Sequence, residues 1–156
     1  MAIKNKLRIL NYKIQKENLL HLERRSSFQI LTLGVHFQKV NKPLISDKIG
    51  KYEAQASPDV FFHNNKYHMF FCYRGGKDYR GKKNGYRIGY AFSTDLLNWE
   101  RNDNYVGIDI SEDGFDDEMV SYPHVFEING KIHMFYLGNG VGKEGFGWAT
   151  LENDLL

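Results

Sequence analysis

A chain of 156 residues, 42% hydrophobic and 26% charged, is long enough to bury one core and too apolar to stay disordered. Its formal charge of +2 is uneven: residues 1–50 hold ten Lys/Arg against three Asp/Glu, and residues 51–156 hold eleven against sixteen. No run approaches the ~20 apolar residues of a membrane span, the opening MAIKNKLRILNYKIQ lacks the unbroken apolar centre of a signal peptide, and the N-terminal cations are interspersed with Leu, Ile and Tyr rather than clustered, so the expectation is a cytoplasmic protein that binds neither membrane nor nucleic acid.

In chain order, Leu7, Leu10, Ile14, Leu19 and Leu22 fall loosely on one helical face without a capping box, so residues 1–32 are expected to be a basic segment, helical or irregular. FQILTL, 28–33, has strand composition, and VHFQKVNKPLIS, 35–46, alternates until Pro43 interrupts it. The pattern sharpens after Glu53. VFFHNNKYHMFFCY places two β-rich runs on either side of Asn64-Asn65, and asparagine tolerates the positive φ of a tight hairpin turn. The lone cysteine, Cys72, sits within that second run and is read as a small buried hydrophobe.

The hairpin recurs. VFEINGKIHMFYL carries Asn129-Gly130, the strongest short hairpin signal, and matches the first copy at a spacing of 65: Pro58 with Pro123, Val60 with Val125, His68 with His133, Phe70 with Phe135. Tyr67 to Tyr73 is apolar on both faces, as in a strand covered on each side. A glycine-containing loop then leads to YRIGYAFS (86–93) in one copy and FGWAT (146–150) in the other, and STDLLNWER adds a turn at Asp95 and a short edge strand near Trp99. Each copy therefore offers at least three antiparallel strands, and repetition of such units suggests an all-β protein with propeller blades, or else a duplicated hairpin within a compact sandwich.

GYRIGYAFSTDLLNWER and FDDEMVSYPHVFEINGKIHMFYLGNGVGKEGFGWA, with the Pro-x-Val-Phe hairpins, resemble the five-bladed β-propeller glycosidases, glycoside hydrolase family 43 and its relatives in family 32. The similarity covers roughly residues 33–156, spread over many positions. It implies a partial propeller of four-stranded antiparallel sheets, its C-terminal two to three blades, with one blade near 52–105, the next near 115–156, and VHFQKVNKPLIS as the last strand of a preceding blade. It also implies a glycosidase-like activity on a carbohydrate, without a cofactor, or alternatively a non-catalytic carbohydrate-binding or assembly module. An incomplete set of blades exposes sheet faces, so a homo-oligomer or a partner chain completing the propeller is expected.

Glycoside hydrolysis needs one protonated and one ionised carboxyl group flanking the bond. The family's acids commonly stand just before the blade proline, where this chain has Ser57, or Ser121 and Tyr122. Acids in matching places nearby are Glu53 and Glu118, each five residues before its proline, and Asp59, whose counterpart is His124. Glu118 is taken as the general acid, its pKa raised by burial among aromatics, with Glu53 or Asp59 as the ionised partner. Asp116, His124, Arg74, Asn139 and Tyr122 are candidate substrate contacts, although Arg74 and Asn139 could equally tie loops. His68 and His133 occupy equal strand positions and read as architecture, and no zinc-like spacing is present. DISEDGFDDE, 109–118, imitates part of a calcium loop, but Val120 stands where the bidentate Glu belongs, so no metal is expected. GVGKEG, 140–145, matches a dinucleotide fingerprint in form only and reads as a flexible loop before a strand.

Overall fold

The computed structural model describes residues 37–155. The chain divides into two units, Met1–Lys39 and Val40–Leu156, and every element below belongs to the second. The expected N-terminal segment 1–32 and the FQILTL strand lie outside the described residues.

Two antiparallel sheets make up the second unit. The first has strand order β1 (Ala54–His63), β2 (Lys66–Arg74), β3 (Arg87–Ser93), β4 (Glu100–Arg101), and the second β5 (Ser121–Ile128), β6 (Lys131–Leu137), β7 (Phe146–Thr150). Both are simple meanders, as expected for an all-β protein, and among the described residues they do not close into a ring. The hairpins turn where asparagine permits it: Asn64 and Asn65 have φ of 45° and 61°, and Asn129 and Gly130 have 54° and 75°. Positive φ at both central residues is the turn whose twist matches that of the flanking strands. Beyond β3 the chain reverses at Asp95, whose carboxylate accepts the Leu97 and Asn98 N–H groups, and β4 follows.

The sheets stack in one direction. Phe61, Phe70, Ile88 and Tyr90 of the first sheet pack against Val125, Ile132, Met134 and Tyr136 of the second. The reverse face of the first sheet, with Met69, Phe71 and Ala91, is covered by Ile45 and Trp99. Residues 68–72 are accordingly buried on both faces. A matched detail recurs in both copies. Phe71 lies over Gly89 on the neighbouring strand, so that a Cβ there would fall 2.5 Å from its ring, and Tyr136 lies over Gly147 in the same relation. Absence of a side chain lets the ring lie flat against the backbone.

One expected strand is absent. Over 37–46 the backbone forms bends rather than a strand, and Ile45 is the one buried residue of that stretch. Among the described residues the stretch ahead of Pro43 has no sheet partner, and Ile45 instead packs on the reverse face of the first sheet.

The Ile45–Ser46 stretch is fastened by charge. Arg101 on β4 donates to the Glu53 carboxylate and the Ser46 carbonyl, both at 2.6 Å, and to both Asp103 oxygens at 3.0–3.1 Å. Its guanidinium also lies over the rings of Phe71 and Tyr73. The Glu53 side chain is wholly buried and those of Arg101 and Asp103 nearly so. Burial alone would raise the Glu53 carboxyl, but hydrogen bonds from Gln55, the Ile49 N–H, Arg101 and the Lys48 N–H outweigh it and hold the group below its ordinary value. Removing one partner of such a set strands the others. Arg101→Met is therefore expected to lower stability by about 3–5 kcal/mol in urea unfolding. Because the folded Glu53 pKa lies below the unfolded value near 4.5, its stabilisation is complete above that pH and lost as pH falls below it. A stability profile over that window should be shallower in Arg101→Met than in the parent chain.

Candidate functional site

The two sheets carry the same irregularity at the same end. The β1–β2 register shifts between Ala56 and Asp59, and the β5–β6 register shifts between Ser121 and His124, positions related by the spacing of 65. Within each bulge the residue before proline has left-handed backbone, Ser57 with φ of 52° and Tyr122 with φ of 53°. A residue before proline ordinarily stays extended, so both positions hold strain that the surrounding sheet must impose. Bulges of this kind bend a strand and re-aim its side chains. Here they bring the residues after each proline, Asp59 and His124, face to face, with His124 Nδ1 3.3 Å from Asp59 Oδ2. The same carboxylate accepts the Val125 N–H.

Beside the bulge of the second sheet lies an aromatic hollow of about 460 Å³ lined by Tyr122, His124, Phe135, Tyr136, Leu137 and Phe146. Tyr136 donates to Asp116 Oδ2 at 2.9 Å. Burial first, then the Asp116 hydrogen bond and charge, push the Tyr136 hydroxyl up to about 12. Tyr122 continues the aromatic surface toward the first sheet, its ring 6.0 Å from that of Tyr86. Interaction with Tyr86, then burial, raises the Tyr122 hydroxyl. Tyr86 in turn accepts from Arg74 Nε at 3.0 Å, and the Arg74 guanidinium lies 4.0 Å from the centre of the Tyr79 ring. A close Asp59–His124 pair, a run of tyrosines and a guanidinium thus share one end of the second unit.

The sequence-derived candidates separate into three groups. Asp59, His124, Tyr122 and Arg74 are brought together at this end. Glu118 borders it: its N–H donates to Asn139 Oδ1 at 2.9 Å and its carbonyl accepts from Arg87, while its side chain is exposed. The burial among aromatics on which its general-acid reading rested is therefore not found. Glu53, Asp116 and Asn139 are taken up elsewhere. Glu53 is spent on Arg101 and backbone amides. Asp116 is buried behind Tyr136. Asn139, also buried, accepts the Glu118 and Met119 N–H groups and donates to Gly114, Asp117 and Glu144, so it is a loop tie rather than a free contact. The loop it anchors is closed rather than flexible, with Gly138 N–H to Gly145 O at 3.1 Å and Glu144 N–H to Asn139 O at 3.3 Å.

Cys72 is fully buried beneath the bulges and burial pushes its thiol up, as suits a packing residue. His68 is buried between the Tyr90 hydroxyl and the His63 carbonyl, and His133 meets Thr150 and Trp148. Both act as sheet architecture. Asp109 pairs with Arg87 at 3.1 Å, and among the described residues no cluster of three or more His, Cys, Asp or Glu side chains is arranged to hold a metal.

No protein-family model matches the chain. Over 120 residues it is 39% identical to the uncharacterized protein Rv1502 of Mycobacterium tuberculosis (strain ATCC 25618 / H37Rv), covering 77% of this chain and 38% of that protein. The chain thus spans well under half the length of the curated relatives it matches. Among solved structures it is similar to a glycoside hydrolase, with a TM-score of 0.55 and 19% identity over 73% of this chain and 31% of that one. The fold is glycosidase-like. A structure of the BT0996 RGII complex is similar at a TM-score of 0.51 and 21% identity, over 66% of this chain and 34% of the other.

Asp59 is the residue by which the bulge end is held. Asp59→Ala should cost about 1.5–3 kcal/mol, the range for a hydrogen bond to a charged group, and Asp59→Asn less because it keeps an acceptor. Chemical unfolding of both variants measures the difference.

Proposed function

We propose that this chain is part of a propeller glycosidase-like protein and that its bulge end contributes the sugar-contacting wall of a glycoside-hydrolysing site. The observation that carries this reading is the pair of matched, strained bulges, which set Asp59, His124 and Tyr122 beside an aromatic hollow of about 460 Å³. Strain of this kind persists where an unusual side-chain direction is needed. Flat aromatic rings suit the apolar faces of sugars, while the Asp59 and His124 polar atoms suit hydroxyls.

Directional stacking supports the propeller. The register of 65 equates Phe61, His68 and Phe70 with Phe126, His133 and Phe135. In the first sheet that face meets the next sheet, and in the second sheet it is the outer one. A head-to-tail contact of this sort, repeated, closes a ring when its rotation permits. A further sheet, from a longer polypeptide or a second chain, would then stand on the outer face of the second sheet and cover Phe126, His133 and Phe135, leaving Tyr122, His124 and Asp59 at the bulge end to meet the sugar.

In this reading Glu118, exposed in the chain alone, is the proton donor to the leaving oxygen only when a bound saccharide or a further sheet covers it and keeps its carboxyl protonated. Asp59, with one oxygen committed to the Val125 N–H, uses the other to take a proton from the water that attacks the anomeric carbon as the leaving oxygen departs. A second reading, sugar binding without cleavage, is favoured by the commitment of Glu53 and Asp116 to structural bonds.

Assay of the full chain against aryl glycosides, beside a glycan array, separates the two. Cleavage that falls at least 10²-fold in Glu118→Gln supports the hydrolytic reading; binding with no cleavage supports the second; neither binding nor cleavage of any saccharide removes both. Tyr122→Ala should weaken glycan binding roughly 2- to 10-fold if its ring carries a sugar face.

A further inference from the structure

The β2–β3 connection has a charge unlike the rest of the second unit. From Arg74 to Arg87 the sequence RGGKDYRGKKNGYR holds six cations, Arg74, Lys77, Arg80, Lys82, Lys83 and Arg87, against the single acid Asp78. Elsewhere in residues 51–156 there are five cations and fifteen acids. A run of charge on a loop is by itself only a solvated surface. What distinguishes this one is the state of Arg74.

Arg74 is half-buried at the end of β2, flanked by the rings of Tyr79 at 4.0 Å and Tyr86 at 5.5 Å. Its Nε donates to the Tyr86 hydroxyl and its Nη1 to the Gly75 carbonyl. Among the described residues no ion pair reaches it. The other two well-packed guanidiniums each have a carboxylate, Arg101 with Glu53 and Asp103, and Arg87 with Asp109. Holding a guanidinium in a partly dehydrated place without a counter-charge is costly, and the protein holds this one in a fixed orientation between two rings.

Arg74 faces a recess of about 310 Å³ that is also lined by Lys83, Asn84, Arg87 and the backbone of Gly75 and Gly76. No carboxylate lines it. The recess adjoins the aromatic run, because the Tyr86 ring that accepts from Arg74 is the one beside Tyr122.

Resting on the saccharide reading above, we propose that this recess binds the carboxylate of an acidic sugar unit, making the preferred ligand a uronate-containing saccharide rather than a neutral one. The planar guanidinium fork matches a carboxylate, Lys83 adds a second cation, and Asn84 offers an amide to the neighbouring hydroxyl. Recess size fits one sugar ring with its substituent. A polyanion held only by the loop's exposed lysines would not need Arg74.

The test is calorimetric titration of the full chain with a hexuronate oligosaccharide and with the same oligosaccharide after reduction of its carboxyl groups to alcohols, with inorganic polyphosphate and a single-stranded RNA as competing anions. The acid form should bind at least tenfold more tightly than the reduced form. In Arg74→Gln that preference should fall to within about twofold, and in Lys83→Gln, an exposed position whose change leaves folding intact, it should fall by about two- to threefold. Arg74→Lys, which keeps charge but loses the fork, should recover only part of it. Equal affinity for acid and reduced forms overturns the inference while leaving the saccharide reading in place. So does a preference that survives Arg74→Gln, or tighter binding of polyphosphate or RNA than of the uronate. Binding of neither saccharide overturns both.

Discussion

Asp59 holds the seam on which the arrangement depends. β1 and β5 are the outermost strands of their respective sheets. An edge strand presents backbone donors with no ladder partner, and a donor left without an acceptor where two sheets pack costs free energy comparable to a lost hydrogen bond. The Asp59 carboxylate supplies the acceptor for the Val125 N–H and, through the same oxygen, meets His124. A side chain of the first repeat thereby completes the backbone of the second. This also accounts for the one break in the repeat that matters most. Were position 124 an acid like position 59, two carboxylates would face each other across the seam; histidine there supplies a partner instead.

The seam fixes the bulges, and the bulges fix the site. Ser57 and Tyr122 could relax to extended backbone only by shifting the register of β1 against β2 and β5 against β6, which would carry every later side chain to the opposite face. Phe61 would then leave the inter-sheet core, and Val125 would turn outward. Packing of the two faces therefore opposes relaxation at the prolines. The strain sits beside Tyr122, His124 and Asp59, while the energy that maintains it is distributed over the apolar core.

Much of this was legible in local chemistry and little of it in long-range pairing. Asn64-Asn65 and Asn129-Gly130 announce their turns because the φ they need is a property of those residues. The bulges were half legible: the two prolines marked equal places, yet nothing in Ser57 or Tyr122 signals left-handed backbone, which the sheet imposes. Glu53 and Glu118 share a register position but not a role, because Glu53 finds Arg101, 48 residues away, while Glu118 is exposed and among the described residues has no ion pair. Asn139 stayed open between two readings for a related reason. An asparagine after a strand suits either a ligand or a loop tie, and only the convergence of Gly114, Asp117 and the Met119 amide on it decides between them. The alternating stretch before Pro43 shows the opposite case, a strand pattern with no strand beside it among the described residues.

Charge was legible only at the right length scale. Averaged over the first fifty residues, the basic excess belongs to the N-terminal third, and residues 51–156 look acidic. At the scale of a single loop the acidic part contains a compact positive island between β2 and β3. The distinction has a physical measure, since at physiological ionic strength exposed charges are screened over about 8 Å. The exposed lysines of the loop cannot act on anything beyond that range. The part of the island that escapes screening is Arg74, shielded by Tyr79 and Tyr86 and held in place by the hydroxyl of the latter. Net charge therefore says little about a short-range site, whereas the half-burial of one guanidinium among tyrosines concentrates its effect at a single position beside Tyr86.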